Sequence, residues 1–154
     1  SIAYPNIVQR TKLDGDLYSG EEKKAFAPVS EDEGDAKEAI ATKRVSINFR
    51  TGEFQLDENA KYIIDLEFVE IAKAFGNARI RIEGNTDNVG NRASNVALSK
   101  KRAQSVKDYL VKEHDMDPNR FIVIGNGPDN PVADNSSADG KAQNRRTDFE
   151  LVRD

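Results

Sequence analysis

From Val45 onward the hydrophobic period switches repeatedly between two residues and about 3.6, and few folds accommodate that alternation. Val45, Ile47 and Phe49 alternate with Ser46, Asn48 and Arg50, the pattern of a half-buried strand. After a turn at Thr51-Gly52, a helix opens near Asp57-Glu58. Ile64, Phe68, Ile71 and Phe75 form its apolar stripe, and Gly76-Asn77 stops it. Arg79-Ile80-Arg81-Ile82-Glu83 is a second alternating strand, closed by Gly84-Asn85-Thr86-Asp87. A long helix follows over about 92–113, then a third strand over 120–124. Phe121-Ile122-Val123-Ile124 is apolar throughout, which predicts a central position in the sheet. Breakers crowd 125–131; a short helix near 139–144 and a last strand with Phe149 and Leu151 facing inward complete the chain. The pattern predicts an α/β fold (an α+β sandwich) over 45–154, its helices packed on one mixed four-stranded sheet.

Residues 1–44 differ in character. Turn signals are scattered through them, and five of the eight residues in Glu31-Asp32-Glu33-Gly34-Asp35-Ala36-Lys37-Glu38 are acidic. Too few apolar residues remain for a core, so this stretch reads as a linker or the tail of an upstream domain. The chain opens Ser1-Ile2-Ala3-Tyr4-Pro5, with no basic segment and no apolar core of a secretory signal. Its one Met is Met116, and the whole reads as a processed chain or a piece of something longer.

Missing residue types narrow the chemistry. Without Cys there is no disulfide framework, thiol nucleophile or zinc ribbon. The single His114, in Lys112-Glu113-His114-Asp115, reads as a solvated helix end rather than a member of a triad. With 23 Lys+Arg against 27 Asp+Glu the net charge is −4, which offers no overall basic footprint for nucleic acid. The longest apolar run is far short of the ~18 residues of a membrane span. An enzyme, a metal site and a cofactor are therefore all disfavoured. Asp134-Asn135-Ser136-Ser137-Ala138-Asp139-Gly140 lacks the spacing of a calcium loop and reads as Asx turns with a helix cap. Gly125-Asn126-Gly127 lacks the third glycine and following helix of a nucleotide site.

The segment 85–110 is the most informative. No acidic residue lies between Asp87 and Asp108, although Arg92, Lys100, Lys101, Arg102 and Lys107 do. Wound at 100° per residue, Leu98, Ala103, Val106, Tyr109 and Leu110 share the sector that faces the sheet. The lysines fall outside it, as a solvated face requires. Arg102 and Asn95 fall inside. A guanidinium on a buried stripe calls for an anionic partner, because an unpaired buried charge costs several kcal/mol. Asp87, in the crevice loop beyond the second strand, is the candidate. The two either form a structural salt bridge or face a common zwitterionic ligand, Arg102 forking its carboxylate and Asp87 taking its ammonium.

Asn85-Thr86-Asp87-Asn88-Val89-Gly90, followed by Asn95, Leu98-Ser99, Arg102-Ala103, Val106 and Tyr109-Leu110, resembles the signature of the OmpA-like peptidoglycan-binding domain. Gly125, Gly127, Pro131-Val132-Ala133, Asn135, Gly140 and Asn144-Arg145-Arg146 extend the resemblance over about 45–152. That domain is shared by outer membrane protein A, the peptidoglycan-associated lipoprotein and the flagellar motor B-subunit. The resemblance implies a non-catalytic module that binds peptidoglycan through the meso-diaminopimelate of its stem peptide and tethers a larger envelope protein to the wall. It places the chain in the periplasm, in an outer-membrane or envelope-associated protein of a Gram-negative bacterium, with no membrane insertion by this fragment. It puts Asp87 on the diaminopimelate ammonium and Arg102 on its carboxylate, with Asn95 hydrogen-bonding the same group. Thr86, the Thr51-Gly52 turn and Leu98 would line the pocket, and Arg145 would approach the ligand. Arg146 is expected to pair across the sheet. Family members often carry Asp where Arg50 stands and commonly His where Asn85 stands, so no ligand contact is carried over to Arg50. Replacing Asp87 or Arg102 by Ala is expected to leave the fold intact and remove binding. The alternative is a structural or protein-interaction domain that keeps the fold without the ligand, its Asp87 and Arg102 closed on each other.

Overall fold

The computed structural model describes residues 43–153, so most of the expected linker lies outside the described residues. Strand β1 (Val45–Asn48) leads through a turn to helix α1 (Glu58–Glu67) and, after a break, helix α2 (Val69–Ala74). Strand β2 (Arg79–Asn85), helix α3 (Arg92–His114) and strand β3 (Phe121–Gly125) follow, then helix α4 (Ala138–Asn144) and strand β4 (Arg146–Val152). The sheet order is β1-β4-β2-β3. The crossover through α3 makes β2 and β3 parallel neighbours, and β4 returns antiparallel between β2 and β1. The α/β architecture on one mixed four-stranded sheet is thus as expected.

The alternation predicted for the strands explains the packing. Val45 pairs with Phe149 and Phe149 with Ile82, while Ile80 pairs with Leu151, so one sheet face is continuously apolar. Against it lie Ile64, Phe68, Ala103, Val106 and Leu110, all buried, and the Phe68 and Phe149 rings meet edge to face at 4.9 Å. Each fully buried side chain of this size contributes about 1.5–3 kcal/mol. On the other face, β2 and β4 alternate charges. Arg81 reaches Glu150 at 2.7 Å and Glu83 at 3.2 Å, and Arg44 reaches Glu150 at 3.4 Å.

Two expectations are corrected. Strand β3 is an edge strand, not central: its second parallel edge is unpaired, and only Phe121 in it is buried. Its apolar run reflects packing under α3, not enclosure between two strands. The first long helix is also broken at Phe68, whose ψ of −39° comes with a φ of −128°. The break rotates the second piece, so Val69 and Ala72 face the core while Ile71 and Phe75 stand in solvent. The guanidinium of Arg120 helps fix this piece by donating to the carbonyls of Ala72, Phe75 and Ala78 at 2.9–3.0 Å.

Candidate functional site

At its carboxyl end β2 runs into a loop that several elements hold from below. Thr86 donates its N–H to the Gly127 carbonyl and its hydroxyl to the Asp87 carbonyl, which leaves Thr86 buried and fully engaged. The Asp87 carboxylate accepts the Val89 N–H through Oδ1, at 3.1 Å, an Asx turn. Asn95, one turn into α3, donates its side-chain N–H to the Val89 carbonyl at 2.9 Å. Asn91 caps α3 by accepting from the Ser94 N–H. Asp87 and Asn95, predicted to meet a common ligand, are thus joined through the backbone of Val89.

Arg102 corrects an expectation. It is the largest fully buried side chain, as its place on the apolar stripe requires, but its hydrogen-bonding partners are not anionic side chains. Nε donates to the Glu53 carbonyl at 2.7 Å, Nη1 to Asn85 at 3.0 Å and Nη2 to Arg50 at 3.1 Å. Three carbonyl dipoles satisfy what a carboxylate was expected to satisfy, and Asp87 contributes only a longer-range attraction. Burial, and then the neighbouring cation of Arg145, lower the Arg102 pKa to about 10, so the group stays charged at neutral pH. Its plane lies over the Phe49 ring, 5.1 Å from the centroid. The Arg50 and Glu53 carbonyls bracket the exposed Thr51-Gly52 turn, in which Gly52 takes φ of +74°. Arg102 therefore ties the end of β1 and this turn to the end of β2.

The anion's partner is Arg145. Its Nη1 lies 3.2 Å from Asp87 Oδ2 and its Nε donates to the Phe49 carbonyl. Asp87 thus pairs with Arg145, and the Arg102 guanidinium lies near enough for both charges to act on it. Leu98, half-buried, sits one turn before Arg102 on the same helix. Arg102 uses three of the five N–H groups of an arginine and Arg145 two, while Asp87 accepts two bonds of the roughly four a carboxylate can take. Asp87 and Arg145 keep unused bonding capacity at the surface, while Arg102 is wholly buried. Arg146, expected to pair across the sheet, instead bonds Asp148 on its own strand at 3.1 Å and the Asn130 carbonyl at 2.9 Å. Residues two apart on a strand share a face, and the antiparallel partner of Arg146 is uncharged Asn48.

Sequence reasoning missed two supports. Gly84 lets α3 approach β2: a Cβ there would lie 1.8 Å from the Ser99 carbonyl oxygen. Asn144, wholly buried, accepts from the Val132 and Ala133 N–H groups and donates to Asn135, fixing the loop before α4. The small residues at 84, 99 and 103 were the available signal for the first; nothing local marked the second. Among the described residues no group of three or more His, Asp or Glu is placed to hold a metal ion.

The chain is similar to known envelope proteins. The chain is 41% identical over 97 residues to outer membrane protein A of Bordetella avium, covering 63% of this chain and 49% of that protein. It is 38% identical over 90 residues to the peptidoglycan-binding protein ArfA of Mycobacterium tuberculosis, covering 58% of this chain and 27% of that one. The chain thus spans about half or less of these relatives' length. The crystal structure of the peptidoglycan-associated lipoprotein from Burkholderia pseudomallei superposes with a TM-score of 0.64 at 28% identity, over 71% of this chain and 90% of that one. The OmpA family model matches residues 48–145, which contain β2, α3, β3 and every residue of the site, and the chain belongs to the OmpA family.

Proposed function

We propose that this domain binds peptidoglycan without reacting on it, gripping the meso-diaminopimelate of the stem peptide and tethering a larger periplasmic or outer-membrane protein to the wall. Relatives named for outer-membrane, lipoprotein and peptidoglycan-binding roles support the general function and envelope association. One observation carries the finer reading: the Asp87 carboxylate is paired with Arg145, both keep unused bonding capacity, and the buried Arg102 guanidinium is near enough to feel both charges. A head group bearing an ammonium and a carboxylate suits that set. The ammonium would share Asp87 with Arg145, and the carboxylate would take the free N–H groups of Arg145, backed by the charge of buried Arg102. A lysine-type stem peptide lacks the distal carboxylate and would leave those donors unanswered.

A second reading, a domain that keeps the fold without the ligand, is favoured by one fact: Arg102 has no exposed surface and serves the backbone. Co-sedimentation with isolated sacculi separates the two. Asp87→Asn preserves the shape and the Val89 contact while removing the charge. Charge-assisted bonds contribute about 1.5–3 kcal/mol, so the variant should stay folded, with a lower melting temperature for the lost pair with Arg145, and bind diaminopimelate-type sacculi about ten- to a hundred-fold more weakly. Undiminished co-sedimentation would overturn the proposal.

A further inference from the structure

A cleft of about 400 Å³ opens between the end of β1, the first turns of α1 and the last turn of α4. Arg50 and Arg145 both line it. Arg145 has one edge on Asp87 and faces the cleft as well, so one guanidinium separates the two spaces. The Arg50 side chain is exposed and has no partner among the described residues. The amides of Asn59 and Gln143 also line the cleft without internal bonds among the described residues. Its one acid, Asp57, is engaged as the cap of α1, accepting the Ala60 N–H at 2.8 Å. Two cations, unengaged amides, the positive end of a ten-residue helix and a committed carboxylate make an anion-selective lining.

We infer that this cleft is a second subsite, which holds a carboxylate of the same acidic peptide on Arg50 and the outer edge of Arg145. The inference rests on the binding reading above. An extended peptide advances about 3.5 Å per residue, so a group one residue away from the diaminopimelate reaches past Arg145. The stem peptide carries such a group, the α-carboxylate of its γ-linked glutamate. Where that carboxylate is amidated, Arg50 loses its counter-charge. The subsite therefore discriminates acid from amide at a position remote from Asp87.

Two synthetic tripeptides, L-alanyl-γ-D-glutamyl-meso-diaminopimelate with the glutamyl α-carboxyl free or amidated, test this by titration calorimetry. Exposed ion pairs are screened by solvent, so the free acid should bind about two- to five-fold more tightly. Arg50→Ala should bring the two affinities together, and Arg50→Lys should restore part of the preference. Because Arg50 is exposed, both variants should keep the parent melting temperature. Equal binding of acid and amide by the unsubstituted chain overturns the subsite and leaves the diaminopimelate reading standing. A preference that survives Arg50→Ala also overturns it. Binding of neither peptide overturns both readings.

Discussion

At the scale of single residues, the buried arginine shows how one side chain can tie two distant chain segments together. Arg102 occupies an apolar stripe, joins three carbonyls from two chain segments and lies over Phe49. Its removal would strand the buried Asn85 carbonyl, release the part-buried Arg50 and Glu53 carbonyls and leave a cavity in the core, at about 1–3 kcal/mol for each buried group left unsatisfied. Arg102→Ala is therefore expected to lose about 3 kcal/mol or more and roughly 10 °C in Tm, read by calorimetry. A melting temperature within a degree of the parent would refute the clamp. This outcome replaces the sequence-based expectation of an intact fold, and it makes Asp87→Asn the cleaner probe of binding. The anomaly at Arg102 was legible because periodicity assigns a face to each helical position. Its partners were not, because backbone carbonyls carry no residue identity and the turn that supplies two of them lies about fifty positions away. Arg145 was named only through resemblance; nothing in its local pattern points at Asp87.

Elements were legible where their period is long and closed by caps. Helix α3 runs over 23 residues from an Asn91 cap to a left-handed Asp115, close to its expected span. The strands at Val45 and Arg79 were found from alternation alone. Strand order was less accessible, since the apolar run of β3 fits either an enclosed strand or an edge strand beneath a helix. The kink after α1 is a tertiary matter as well: Arg120, forty-five positions on from Phe75, bonds the last carbonyls of α2. Those bonds stand in for a missing cap, as cationic groups at helix C-termini do. Arg120→Ala should therefore loosen α2 selectively. Amide exchange over Val69–Ala74 should quicken by about ten-fold, as expected for about 1.4 kcal/mol of local stability, while β2 and β4 stay protected. Uniform acceleration across the sheet would mean that Arg120 supports the whole fold instead.

At the scale of the molecule, the two helices that cover the sheet are joined by a polar latch near the C-terminal end of α3. Asp65 on α1 accepts from the Tyr109 hydroxyl at 2.7 Å and lies 2.8 Å from His114 Nε2, both on α3. The Tyr109 and His114 rings meet edge to face at 5.4 Å. His114, expected as a solvated helix end, is thus part of an interhelical contact. Burial, then the hydrogen bond to Asp65 and the carboxylates nearby, push the Tyr109 pKa up from 10.0 to about 12. The sign of the linkage follows directly. A folded pKa raised above the unfolded one favours the protonated phenol, so this stabilisation is complete below pH 10 and is lost as pH climbs from 10 toward 12. Ionisation would set a phenolate against the Asp65 carboxylate and part α1 from α3. Between pH 9 and pH 11.5 the urea midpoint should therefore fall further in the parent than in Tyr109→Phe, which lacks the Tyr109 phenol. The tyrosinate absorbance should show a late-titrating phenol that vanishes in Tyr109→Phe. Equal losses of stability in the two proteins would show that the latch does not couple the helices to pH, and would leave the apolar contacts of Phe68, Val106 and Leu110 as what holds them together.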